Sequence, residues 1–305
     1  MIKRTLYFGN PAYLRTQNEQ LLITLPENKS GLREADRSTT IPIEDIGIVI
    51  LDHQQITISQ ALIGKLLANN VAFITCDSSH HPTGLMLNLE GNTLQAERFA
   101  QQINASLPLK KQLWAQTVEQ KIKNQAQVLK NTGHGDWELM VQMAKNIRSG
   151  DPENYEGRAA AHYWKHLFGS ELGFLRDREG KHPNAILNYG YAILRAITAR
   201  NLVGSGLLPT LGIHHRNKYN AYCLADDIME PYRPFVDQIV LKIYKEHPTM
   251  ENIATEIKAI LLQLPIVDVK INNESSPLMV AMQRTTASLN KCFEGVQSKI
   301  LYPQL

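Results

Sequence analysis

Residues 97–136 read ERFAQQINASLPLKKQLWAQTVEQKIKNQAQVLKNTGHGD, and the reading of this stretch decides the fold. Ser106 precedes Leu107 and Pro108, a side-chain cap followed by proline in the first turn, so a helix opens here. It runs toward Lys130 and stops before Gly133. Asp136 starts a second helix, and Ser149-Gly150-Asp151-Pro152 ends that one and begins the next. Helical spacing continues over Asn184 to Gly204, Lys218 to Glu246, Thr249 to Leu264 and Ser276 to Gly295. Upstream the pattern differs. Short β-rich runs, Thr5 to Phe8, Gln20 to Leu25, Ile46 to Leu51 and Val71 to Thr75, alternate with turn signals. One amphipathic stretch, with Ile58, Leu62, Leu66 and Leu67 on a shared face, interrupts them. The expected class is α+β: a small, mainly β domain over residues 1–93 and a larger all-α domain over 94–305.

The chain has 305 residues, 43% of them hydrophobic and 20% charged, an ordinary globular composition for about two domains. Thirty-two basic against 29 acidic residues give only +3, which excludes a histone-like polybasic protein but not a nucleic-acid partner. The charge divides with the architecture: residues 1–95 hold 7 basic and 9 acidic residues, and residues 96–305 hold 25 and 20. Cys76, Cys223 and Cys292 form no CxxC pair, against a zinc ribbon, a disulfide scaffold or a thioredoxin-like motif. No apolar run approaches the ~20 residues of a spanning helix, and the N-terminus has no signal-peptide core, so a cytoplasmic protein without a membrane partner is expected. There is no Gly-rich phosphate loop.

Two segments carry the chemistry. In Asp151–Phe168, DPENYEGRAAAHYWKHLF, Asp151 reads as an N-cap and Pro152 as first turn, placing Glu156 near the helix start. Gly157 in a helix costs about 1 kcal/mol relative to Ala, which predicts the close approach of another backbone or a ligand. Arg158, His162 and Lys165 form a basic stripe beside the Glu156 face, with Tyr163 and Trp164 interleaved. This suits a phosphodiester site, but on this segment alone a solvated helix face beside a core with one stray Glu is the favoured reading. In Gly212–Pro234, GIHHRNKYNAYCLADDIMEPYRP, two histidines precede a basic loop, and Asp227 and Glu230 share a helix face where like charges repel unless a cation separates them. Pro231 and Pro234 predict a kink. A histidine with two carboxylates is an N,O,O ligand set suited to Mg²⁺ or Mn²⁺. A zinc cluster at Cys76, Asp77, His80 and His81 is a weaker pattern than a turn over Ser78 to Gly84, and His162 and His166 lack the Glu of HExxH.

Together these segments resemble the CRISPR adaptation integrase family, metal-dependent DNA endonucleases that insert spacers into CRISPR arrays. The resemblance rests on Asn154-Tyr155-Glu156-Gly157, Gly212-Ile213-His214-His215 and Asp227-Ile228-Met229-Glu230-Pro231-Tyr232-Arg233-Pro234, in order across the whole chain. The wording of the last two, with IPIEDIGIVILDH upstream, is similar to the type II branch. The resemblance implies metal ligands at Glu156, His215 (or His214) and Glu230, with Asp227 adjacent in the catalytic set. It implies attack of a 3′-hydroxyl of a short DNA duplex on a phosphodiester at the edge of a CRISPR repeat. It further implies a homodimer, a small partner protein completing a heterohexamer, and association with the type II RNA-guided effector nuclease. Candidate DNA contacts are Arg158, His162, Lys165, Arg195, Arg216, Lys218 and Arg233, with Tyr163, Trp164 and Tyr189 for bases or sugars. The β domain, without excess positive charge, suits dimerisation and partner contacts. A stand-alone metal-dependent nuclease or phosphodiesterase, or a non-catalytic DNA-binding scaffold, would carry many of the same residues.

Overall fold

The computed structural model describes residues 3–26, 37–78, 80, 82–169, 172–177, 180, 182–250 and 253–305. The chain divides into two compact units, Met1–Gly91 and Asn92–Leu305, where the sequence had suggested a boundary at residue 93.

The first unit holds β1 (Arg4–Phe8), β2 (Tyr13–Gln17), β3 (Gln20–Thr24), β4 (Ser38–Pro42), β5 (Ile46–Leu51), β6 (Thr57–Ile58), α1 (Gln60–Ala68), β7 (Ala72–Cys76) and β8 (Pro82–Met86). Two four-stranded sheets form, ordered β1-β5-β7-β8 and β4-β3-β2-β6. β5 pairs in parallel with both β1 and β7, and its run IGIVIL is buried almost throughout, as expected of a parallel strand covered on both faces. Ser59 caps α1 by accepting from the Leu62 amide, and Leu62 and Leu66 deliver its apolar face to a core with Leu14, Leu21, Ile46 and Val49. Ile58 lies in β6, before the helix rather than within it. The expected turn over Ser78 to Gly84 is shorter, since Gly84 already lies in β8; Ser79 and His81, with the zinc alternative that needs His81, lie outside the described residues.

The second unit begins with α2 (Gln95–Asn104) and α3 (Leu107–Thr132). Ser106 accepts from the Leu109 amide, Pro108 sits in the first turn, and Gly133 at φ +70 ends α3 in the left-handed conformation that glycine adopts without a Cβ penalty. Then come α4 (Trp137–Lys145), α5 (Tyr155–Leu167) and α6 (Asn184–Gly204), buried around most of its circumference. α7 (Cys223–Met229), a 3-10 turn (Glu230–Tyr232) and α8 (Arg233–Glu246) follow, then α9 (Thr255–Leu261) and α10 (Leu278–Phe293). At Gly190 a Cβ would meet Val236 Cγ1 at 2.5 Å, so this glycine lets α6 approach α8 closely.

Four expectations are corrected. The second unit is not all-α: β9 (Asp268–Ile271) and β10 (Glu274–Pro277) form an antiparallel hairpin turned by Asn272 and Asn273, both at positive φ. α5 starts at Tyr155, with Asn154 rather than Asp151 as its cap, and α4 ends at Lys145, before Ser149. Lys218 to Glu246 is not one helix. Lys218 lies in a loop, and the prolines convert the 230–232 segment to a 3-10 turn, in which the Glu230 amide bonds the Asp227 carbonyl and the Arg233 amide the Glu230 carbonyl. The helix expected over Thr249 to Leu264 is confined to α9; of its first residues, 251 and 252 lie outside the described set.

Candidate active site

Glu156 stands in the first turn of α5, held there by an unusual entry. Asp151 and Asn154 both have positive φ, and the Asp151 carboxylate accepts from the Tyr155 and Glu156 amides at 2.9 Å. Asn154 accepts from the Gly157 amide. This also accounts for Gly157: a Cβ there would meet the Asn154 side chain at 2.8 Å, so within the protein the crowding comes from the helix's own cap and not from another backbone.

Glu230 lies in the 3-10 turn and is only 6% exposed. Arg233 Nε donates to its Oε1 at 2.8 Å. Lys121, on the buried stripe of α3, places Nζ 2.7 Å from Glu156 Oε1 and 2.6 Å from Glu230 Oε2. The second contact is a close ion pair, so the ammonium bridges the two carboxylates. α3 is pinned to the turn by Asn124, whose Nδ2 donates to the Pro231 carbonyl at 2.7 Å and to that of Pro303. Burial pushes the Glu230 carboxyl up, but Arg233 and Lys121 outweigh it and hold the pKa down at about 2. For Lys121 burial acts downward, and Glu230 and Glu156 together drive the net shift upward.

Asp227, fully buried on α7, organises the histidine loop. Its Oδ2 accepts from the His214 amide at 2.9 Å, and its Oδ1 accepts from the His215 amide at 3.3 Å and from His215 Nδ1 at 2.5 Å. Gly212 is required sterically, since a Cβ there would lie 2.7 Å from Asp227 Oδ2 and 2.5 Å from the His215 carbonyl oxygen. The two histidines separate by role. His214 stacks on Trp114, centroids 4.1 Å apart and 4° from parallel, and burial lowers its pKa. The bond to Asp227 raises that of His215, and Glu230 and Glu156 act in the same direction. With Nδ1 committed to a carboxylate, Nε2 is the ring nitrogen left outside that bond.

A cavity of about 540 Å³ opens beside His215. Lys110, Arg216 and Lys218 line it with Asn217, and no carboxylate is among its lining residues. Of the candidate DNA contacts, Arg158, Lys165, Arg216 and Lys218 are exposed. His162 and Trp164 are half-buried, packed on His166 and on Tyr163 and Phe174. Tyr163 and Tyr189 are fully buried and present no ring to a base. Arg195 is bound to Asp226 at 2.7 and 3.2 Å, and Arg233 to Glu230 and over the Tyr191 ring. Asp237 of α8 accepts from Tyr163 of α5 and Tyr191 of α6, and burial raises its pKa to about 7 despite both bonds.

Among the described residues no three His, Cys, Asp or Glu side chains converge to metal-ligand spacing. Glu156 and Glu230 converge instead on an ammonium, which shows that the pair is arranged around a cation. Glu156, Glu230 and His215 are oxygen and nitrogen donors of the types a divalent ion accepts, but Lys121 holds the carboxylates and the three side chains do not converge to ligand spacing.

The family model described as CRISPR associated protein Cas1 matches residues 6–263. This chain belongs to the Cas1 family. The CRISPR-associated endonuclease Cas1 of Neisseria meningitidis is 35% identical over 289 residues, 94% of this chain and 91% of the relative. A second Cas1 endonuclease, from Pyrobaculum aerophilum, is 27% identical over 92% of this chain and 95% of its own. The Cas1-like fold extends to solved structures of low identity. A casposase bound to integration product aligns at TM-score 0.79 and 18% identity, covering 98% of this chain and 92% of that one. A CAS1 protein from Thermotoga maritima aligns at TM-score 0.70 and 14% identity, covering 96% and 97%.

Sequence reasoning missed Lys121, Asn124 and Trp114, all on α3, and Asp237 on α8. The signal for Lys121 was available: it falls at helical spacing with Trp114, Val118 and Gln125, on the face that α3 buries.

Proposed function

We propose that this chain is a DNA endonuclease and integrase of CRISPR adaptation that joins a 3′-hydroxyl of a short duplex to a phosphodiester at the edge of a CRISPR repeat. The observation that carries this reading is the meeting of Glu156 and Glu230 around one cation, beside a carboxylate-oriented His215 and a basic cavity, in a Cas1-family chain. Glu156, Glu230 and His215 would hold Mg²⁺ or Mn²⁺, which would supply Lewis-acid stabilisation of charge at phosphorus. Asp227 orients His215 through Nδ1 and fixes the loop that carries it. Lys110, Arg216 and Lys218 are placed to draw a phosphate backbone into the cavity, a salt-dependent attraction shared among several contacts. DNA contacts spread over subunits fit a chain whose net charge is only +3. The assembly we propose is a homodimer contacting partners through the first unit and joined by a small adaptation protein in a heterohexamer. A Cas6-RT-Cas1–Cas2 complex is among the solved structures of similar fold. Work beside a type II RNA-guided effector nuclease in the cytoplasm belongs to the same reading, and among the described residues no helix is long and apolar enough to cross a membrane.

One observation favours a second reading. Lys121 neutralises both carboxylates, as a purely structural ion pair would in a DNA-binding scaffold. The test mixes the chain and its small partner protein with a duplex bearing free 3′-hydroxyls and a supercoiled plasmid carrying a repeat. Integration predicts joined products that require a divalent ion. Cleavage without joining identifies a stand-alone nuclease, and DNA binding with neither identifies a scaffold.

A further inference from the structure

Lys121 is the one charged side chain among the buried residues of α3. Its ammonium touches Glu156 from α5 and Glu230 from the 3-10 turn, two segments that approach one another only in the folded chain. Arg233 takes the other oxygen of Glu230, so two cations face two carboxylates and the cluster is balanced. A divalent ion added to this set with the ammonium still in place would leave the buried cluster with excess positive charge. Uncompensated charge in such surroundings is strongly unfavourable.

The geometry offers a way out. Nζ bridges Glu156 and Glu230 from the end of a flexible four-carbon stem, whereas the α3 backbone is fixed by Asn124 on the Pro231 and Pro303 carbonyls. The ammonium can therefore withdraw while the helix stays. We propose that Lys121 is a built-in counter-ion: it holds Glu156 and Glu230 together in the ion-free protein and gives up that place when a divalent ion binds, so the two occupants exclude one another. Lys121 then sets how much divalent ion the site requires, and it keeps the paired carboxylates from repelling before the ion arrives. This rests on the metal reading above, and the experiment separates the two.

Mn²⁺ binding to the full-length chain is followed by the electron paramagnetic resonance of the free ion, alongside the melting midpoint with and without Mn²⁺. The proteins are wild type, Lys121→Met, Lys121→Arg and Glu156→Gln. The exchange predicts that Lys121→Met binds Mn²⁺ at least tenfold more tightly than wild type, melts lower in chelator and gains more from Mn²⁺. Lys121→Arg, with a charge that cannot withdraw as readily, binds more weakly than wild type. Mn²⁺ binding that is lost in Glu156→Gln yet no tighter in Lys121→Met overturns the exchange and leaves the metal site standing. No binding in any protein overturns both, whereas binding in Lys121→Met alone supports the exchange. Should Lys121→Met not fold in chelator, Lys121→Arg decides: Mn²⁺ binding equal to wild type or tighter overturns the proposal.

Discussion

The two units bury different things. At the centre of the first, Leu14, Leu21, Ile46, Val49, Leu62 and Leu66 form an apolar core with Asp52 as the buried carboxylate among the described residues. The second buries Lys121, Asp227, Glu230 and Asp237 in addition to its hydrocarbon. Apolar burial is non-directional, so a core of that kind tolerates repacking and places no particular atom. A buried charge needs a partner at a defined position. Each buried carboxylate of the site draws its partners from another helix or loop: Glu230 from α3, Asp227 from the histidine loop, Asp237 from α5 and α6. The second unit thus holds more buried charge pairs than the first, where Asp52 is partnered by Tyr7 and His80, and these pairs fix the relative places of its helices and the histidine loop.

Mutations can break this contrast. Glu230→Ala leaves Arg233 without its carboxylate and Lys121 with Glu156 alone, and loss of one partner from a buried pair costs about 3–5 kcal/mol. Urea denaturation should show a loss of that size together with abolished joining. Leu66→Ala in the first unit should cost a comparable ~2–5 kcal/mol, yet leave joining per folded molecule unchanged. Equal loss of joining in both variants would mean that the two units are not separable in this way.

A finer test lies at Asp227. Asp227→Asn keeps the shape but removes the charge that orients His215, and on the proposed metal reading joining should fall about 10–100-fold. The elevated His215 pKa should drop in the same variant, read from the imidazole NMR shifts against pH. The smallest expected effect is at Asp237. Its folded pKa of about 7 lies above the ordinary value of 3.8, so its contribution to stability is fully present below about 3.8 and is lost as pH rises through about 7. Asp237→Asn should flatten the decline in stability between those pH values, measured by denaturant midpoints across the range.

Much of the second unit was legible because local chemistry determines it. Ser106, Pro108 and Gly133 mark the ends of α3 in sequence and in structure. Glu156, the histidine pair, Asp227 and Glu230 were found as residue types whose charges need company. What was not legible depends on distant partners. Nothing near His214 reveals that Trp114 stacks on it, and so nothing local separates the two histidines. Asp151 looked like a cap because it precedes Pro152, whereas its positive φ delays the helix to Tyr155 and turns its carboxylate onto the Glu156 amide. The β9–β10 hairpin was available to a closer reading, since Val269 and Ile271 alternate with polar residues ahead of Asn272-Asn273.

The central claim is that Glu156 and Glu230 are brought together for phosphodiester chemistry. Its most direct test measures joining and DNA binding in one sample for wild type and Glu156→Gln, a change that keeps size and removes charge. The account predicts that Glu156→Gln loses joining at least ~100-fold while its affinity for the duplex stays within about twofold of wild type. Joining by Glu156→Gln at the wild-type rate would contradict it.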